Sequence, residues 1–142
     1  MLAVLVAILI STLLTQFLKM VIFPEELRPI TFLSENFPIN LIEGVKMKRL
    51  HSFPSGHSTT AFTIALILAH MINKRSWSII LPILALMAAY SRVYLAQHFL
   101  TDVLGGICLG IISALLSLMI FRSLLKTINK KSIPESKEST DS

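Results

Sequence analysis

The residues that could do chemistry fall in three short runs. The first is Lys19 with Arg28-Pro29. The second is Ser52-Phe53-Pro54-Ser55-Gly56-His57. The third is Ser91-Arg92, then His98, then Asp102. In the second run a proline, a good N-cap serine, a glycine and a histidine stand directly ahead of an apolar stretch. That order predicts a helix start, where free N–H groups and the helix dipole favour an anion beside Ser55, Gly56 and His57. An imidazole there is placed to give a proton to a bound phosphate. An ordinary capped helix with an interfacial histidine uses the same residues, so this run does not decide alone.

In the third run His98 and Asp102 are four apart, across the expected start of another apolar segment, with Thr101 as a candidate N-cap. A carboxylate bonded to one ring nitrogen fixes the tautomer and leaves the other nitrogen nucleophilic. Arg92, six residues earlier, offers a planar fork to two phosphate oxygens. A snorkelling arginine and a pair that merely caps a helix are the plainer alternative. Taken together, the runs supply cationic clamps, an aimed nucleophile and an acid for a leaving oxygen, which are the needs of phosphoryl transfer. The sequence has no His-Glu-x-x-His helix and no carboxylate cluster, so the expected chemistry uses neither metal nor other cofactor. Nothing in the pattern points to nucleic acid.

These runs have to be positioned by a membrane protein. Of the 142 residues, 54% are hydrophobic and 15% charged, against about 25% charged in ordinary globular domains. Four apolar segments, at about 1–18, 57–72, 77–95 and 103–121, approach the roughly 20 residues needed to span a bilayer. Helices are the expected form, because lipid leaves any other backbone unsatisfied. The expected fold is therefore all-α, a multi-pass transmembrane bundle of four spans. The first segment lacks a basic leader and a small-residue cleavage site, so it reads as a retained helix rather than a signal peptide. Pro82 is expected either to kink the third span or to sit in its first turn.

One membrane-embedded domain is expected over residues 1–131, with a polar, Ser-rich tail at 132–142 of a composition that does not fold. A loop at 19–56, carrying Pro24, Pro29, Pro38 and Pro54, is long enough to expect a functional role. Cys108 is the only cysteine and can form no internal disulfide. Gly106 and Gly110 form a Gly-x-x-x-Gly pattern that predicts close helix packing. His70, near the far end of the second segment, reads as structural, and His51 as a loop residue.

Basic residues set the orientation. Lys74 and Arg75 lie in one short loop, and Arg122, Lys126, Lys130, Lys131 and Lys137 follow the fourth span. Both regions are assigned to the cytoplasmic side, and all three runs then share the outer face. Lys19, Arg28, Lys46, Lys48, Arg49 and Arg92 oppose the bias there, with Glu25, Glu26, Glu35 and Glu43 as partial offset. An anionic ligand is a reason for cations on that side.

The three runs resemble the signature of the type 2 phosphatidic acid phosphatase superfamily, which includes bacterial undecaprenyl-pyrophosphate phosphatases and vanadium haloperoxidases. Pro54-Ser55-Gly56-His57 is complete, and Ser91-Arg92 to His98 to Asp102 keeps both gaps. The resemblance covers 19–110. It implies a metal-independent phosphatase acting on a lipid phosphate or pyrophosphate at the outer membrane–water interface through a phosphohistidine. His98 would be the nucleophile, Asp102 its support, and His57 the proton donor and later the base. Lys19, Arg28, Ser55, the Gly56 backbone and Arg92 would hold the phosphate. The implied setting is a bacterial inner membrane, and a homo-oligomer is compatible with it.

Two departures stand out. Eight residues separate Lys19 from Arg28 where the family usually has six, and a local excursion at Pro24 could restore the geometry. The family's membrane members have six helices, so this chain reads either as a short form or as one lacking two helices ahead of Met1. Two rivals follow: a non-catalytic membrane protein binding anionic lipid or a partner subunit, and a haloperoxidase using vanadate in the same pocket.

Overall fold

A computed structural model describes residues 2–31 and 49–131, and every regular element among them is helical. Helix α1 (Leu2–Phe17) runs into a π-helical turn, Leu18–Ile22. Helix α2 is Gly56–Ile72, α3 is Arg75–Tyr94 and α4 is Leu100–Lys131. The tail at 132–142 and the loop residues Glu35, Pro38, Glu43, Lys46 and Lys48 lie outside the described residues.

The four apolar segments are four helices, each beginning close to where the hydropathy pattern starts. Three stretches are long and apolar enough to cross a membrane: Ala3–Ile22, Arg75–Tyr94 and Leu100–Ile128. The remaining apolar helix, α2, has 17 residues, about 25 Å at 1.5 Å per residue. That is the short end of the spanning range. Pro82 lies inside α3 and not in its first turn. The α2–α3 connection is two residues, Asn73 and Lys74. It is closed by Asn73 at φ 51, whose N–H donates to the Ala69 carbonyl.

Helix α2 is the centre of the bundle and packs on α1, α3 and α4. The contacts are made by small residues. Ala85 and Ala89 of α3 meet Phe62 and Ala65 of α2, and Ala7 and Ala114 close on Ile67. Large side chains such as Leu5, Leu9, Leu13, Ile83 and Leu115 point outward. This inversion of the soluble pattern suits a bundle in lipid, where helix contact comes from close packing and not from hiding apolar surface. Hydroxyls between the helices bond back to their own helix: Ser11 to Ile8, Thr15 to Ser11, Thr59 to Ser55, Thr63 to Thr59 and Ser117 to Ser113.

Gly106 and Gly110 bring α4 against α2, as their spacing predicts. A Cβ on Gly106 would stand 2.5 Å from the Ser55 carbonyl oxygen, and one on Gly110 would stand 2.7 Å from that of Thr59. The Thr63 hydroxyl crosses this contact to the Gly110 carbonyl at 3.2 Å.

Candidate active site

The end of α1, the start of α2, the end of α3 and the start of α4 meet at one end of the bundle. A cavity of about 570 Å³ opens there, with Lys19, Arg28, Gly56, His57, Arg92 and His98 around its polar part. Six of the eight residues expected to act on phosphate therefore face one space. Asp102 stands behind His98, and Ser55 lies beneath the cavity.

Ser55 is fully buried and caps α2. Its Oγ accepts the Ser58 N–H at 3.4 Å and the Ser58 hydroxyl at 2.9 Å. Its own N–H donates to the Asp102 carbonyl at 2.9 Å. The expected phosphate ligand is thus committed to holding the helix start. It fixes where Gly56 and His57 face the cavity, and it ties the first turn of α2 to that of α4. The close approach at Gly106 is what lets this tie form.

The loop between α3 and α4 aims His98. After Tyr94 the chain passes through Ala96 at φ 51. The N–H groups of Gln97 and His98 then both donate to the Arg92 carbonyl, at 3.0 and 3.3 Å. His98 and Asp102 are 3% and 4% exposed, so neither is a solvated surface group. Nδ1 of His98 lies 3.5 Å from Oδ2 of Asp102, just beyond hydrogen-bond length. The same Oδ2 accepts the Phe99 N–H at 2.9 Å and the Ser52 hydroxyl. With Nδ1 facing the carboxylate, Nε2 is the nitrogen left for the cavity. Burial holds the His98 imidazole below the ordinary histidine range. The Asp102 carboxylate pulls the other way, and the charges of Arg28 and Lys19 add to the lowering. A lowered value leaves the His98 imidazole neutral at pH 7.

The stretched Lys19–Arg28 element still converges. The π-turn and a turn at Pro24-Glu25 take up the extra residues. Residues 26–28 then pair with 49–52 through Arg28 N–H to Arg49 O and Ser52 N–H to Glu26 O, both at 3.0 Å. His51, at φ 60, turns its carbonyl to both cations. It accepts Lys19 Nζ at 3.0 Å and Arg28 Nη2 at 3.5 Å. Arg28 Nε also donates to Leu50 O at 3.1 Å, and Nη1 to Gln97 O at 3.3 Å. The Arg92 Nη1 donates to Gln97 Oε1 at 3.2 Å.

Two residues acquire parts here that sequence reasoning did not give them. Ser52 bonds the Asp102 carboxylate, and Gln97 touches both arginines. Each adjoins a motif residue, which is a weak signal. The partners of Ser52 and Arg28 are 50 and 69 residues away, and no local pattern encodes those bonds.

The sequence model of the PAP2 superfamily matches residues 1–126. Phosphatidylglycerophosphatase B of Bacillus subtilis is 40% identical over 70 residues, which cover 43% of this chain and 34% of that protein. The crystal structure of Aquifex aeolicus LpxE superposes with a TM-score of 0.69 at 34% identity, covering 82% of this chain and 66% of that one. The crystal structure of the transmembrane PAP2-type phosphatidylglycerolphosphate phosphatase of Bacillus subtilis gives 0.65 at 29% identity, covering 94% and 61%. The chain spans less than half the length of the curated relatives it matches. Its apolar helices and its likeness to transmembrane phosphatases make it an integral membrane protein.

Proposed function

This chain belongs to the PAP2 superfamily, and we propose that it hydrolyses a lipid phosphate or pyrophosphate through a phosphohistidine, without a metal. The observation that supports this most is the arrangement at His98. The ring is buried, Nδ1 faces Asp102, and the cavity beyond is lined by His57, Lys19, Arg28 and Arg92.

In the first step Nε2 of His98 attacks phosphorus as the bond to the leaving oxygen breaks. His57, protonated beside the bound anionic phosphate, gives its proton to that oxygen. Lys19, Arg28, Arg92 and the Gly56 N–H spread the charge of the three remaining oxygens, while Ser55 holds the frame. Asp102 stabilises the imidazolium that forms on His98. In the second step His57, now neutral, takes a proton from water. The hydroxide attacks phosphorus, the P–N bond breaks, and phosphate leaves with His98 neutral again. The basic α2–α3 turn and the basic end of α4, with Arg122 and Lys126, face the cytoplasm, so the site faces out and the substrate reaches it from the outer leaflet of a bacterial inner membrane.

Purified protein should release inorganic phosphate from phosphatidic acid micelles without added metal, vanadate should block release, and His98→Ala should abolish it. Full activity in His98→Ala would overturn the mechanism. The cluster of Lys19, Arg28 and Arg92 around the cavity is compatible with one other reading, a non-catalytic membrane protein that binds anionic lipid. Vanadate or phosphate binding with no turnover on any lipid phosphate would select it.

A further inference from the structure

The cavity does not end at the cations. It continues between α1 and α2, where Thr12 and Gln16 face Thr60 before Ala61 and Ile64 make the wall apolar. Thr12, Gln16 and Lys19 stand at i, i+4 and i+7 and so share one face of α1. At 1.5 Å per residue, Gln16 lies about 4 Å and Thr12 about 10 Å deeper than Lys19. Thr60, one turn into α2, stands about 6 Å below Gly56 on the facing wall. The space is graded: cations and histidines at the mouth, uncharged hydrogen-bonding groups below them, and hydrocarbon at the bottom.

The middle layer differs from every packed hydroxyl nearby. Thr15 and Thr59, next in sequence to Gln16 and Thr60, give their hydroxyls to their own helices. Among the described residues the Thr12 and Thr60 hydroxyls and the Gln16 amide bond to no protein group. Each lines the cavity with its polar group open to it. They are positioned as donors to something that enters from the mouth.

Building on the proposed phosphatase reading, we propose that Thr12, Gln16 and Thr60 form a subsite for the uncharged, hydrogen-bonding linkage of an ester-linked glycerol phosphate. With the phosphate among Lys19, Arg28 and Arg92, the glycerol and its ester carbonyls fall in the middle layer, and the acyl chains pass Ile64 into the bilayer. A polyprenyl phosphate has hydrocarbon at that level and leaves the donors unmatched. In a polyprenyl diphosphate the inner phosphate would sit there, facing neutral groups, because among the described residues no lysine or arginine lines the cavity below Lys19.

The test compares phosphate release from dioleoyl phosphatidic acid and from a polyprenyl monophosphate in the same detergent. The protein is the full chain, with and without Thr12→Val, Gln16→Leu and Thr60→Val together. Two to three lost hydrogen bonds should lower kcat/KM on phosphatidic acid about 10- to 100-fold. The polyprenyl phosphate rate should stay within about threefold, since the catalytic groups are untouched. Gln16→Leu alone, at an exposed apolar-compatible position, should shift the same ratio in the same direction and guards against a triple variant that fails to fold. Equal losses on both substrates, or no change in the ratio, overturn the subsite. A wild-type chain that cleaves the polyprenyl phosphate faster than phosphatidic acid also overturns it, while leaving the phosphatase reading intact. A wild-type chain that cleaves neither overturns both.

Discussion

The Ser52 hydroxyl donates to Oδ2 of Asp102, the oxygen that also faces His98 Nδ1. Ser52 is 1% exposed, so no bulk water replaces the bond if the hydroxyl is lost. The bond holds the same carboxylate oxygen that faces the histidine. Hydrogen bonds to charged groups are worth about 1.5–3 kcal/mol. Ser52→Ala is therefore expected to lower kcat by about tenfold, through a carboxylate left with the Phe99 N–H and less firmly aimed at Nδ1. Vanadate affinity should change little, because Ser52 touches no cation of the cavity. Steady-state kinetics and vanadate inhibition on one preparation measure both.

The acid limb of the pH profile should report His98. Its burial and the positive charges of Arg28 and Lys19 lower its pKa, and Asp102 offsets only part of this. A lowered value means that the ring takes its proton only below the ordinary histidine value of about 6.5. Activity should thus persist below pH 6.5 and fall as pH drops through the lowered value. Arg28→Gln removes one of the charges that repel the proton. Its acid limb should move up, toward 6.5, in a pH profile of kcat/KM. A limb that stays in place would show that His98 protonation does not govern the fall.

The Pro-Ser-Gly-His helix start, the four helices and the His98–Asp102 spacing were all legible in the sequence, because each is a local rule: a cap, a hydropathy period, an i, i+4 pair. The Lys19–Arg28 convergence was not, since it depends on a π-turn and on the pairing of 26–28 with 49–52. Nor was the burial of Ser55, which follows from the glycine at 106 letting α4 approach its carbonyl. The parts of Ser52 and Gln97 were not legible for the same reason. Their bonds close across the fold, through backbone turned at His51 and Ala96 into the left-handed region that few non-glycine residues occupy. Local patterns therefore named the groups proposed to react, and tertiary closure named the residues that position them.

Gly106→Ala should damage both stability and activity. Its Cβ would lie 2.5 Å from the Ser55 carbonyl oxygen and 3.0 Å from Ser58 Cβ, neither the free end of a flexible side chain. Relief requires α2 to move off α4, which stretches the Ser55 N–H to Asp102 bond. A cost of about 1–3 kcal/mol is expected for such overpacking, seen as a lower midpoint of thermal unfolding in detergent. Cys108→Ala, two residues away at an exposed position, should leave both properties unchanged.

Gln97 should govern how tightly the site holds an anion. Its side-chain Oε1 takes Arg92 Nη1, and its backbone carbonyl takes Arg28 Nη1. One residue thereby sets the spacing of the two forks. Gln97→Glu would put a carboxylate on Arg92 and cancel part of the charge offered to phosphate. Gln97→Met would keep the length and remove the amide, and with it the Oε1 acceptor, without adding a charge. The backbone bond to Arg28 survives in both. The expected order of vanadate affinity is wild type, then Met, then Glu, with Glu at least about tenfold weaker, since a charge pair at that distance is worth one to several kcal/mol. KM should rise in the same order while kcat changes less, because His98 and Asp102 keep their contacts. A Gln97→Glu variant that binds vanadate as tightly as wild type would show that Arg92 does not hold the anion.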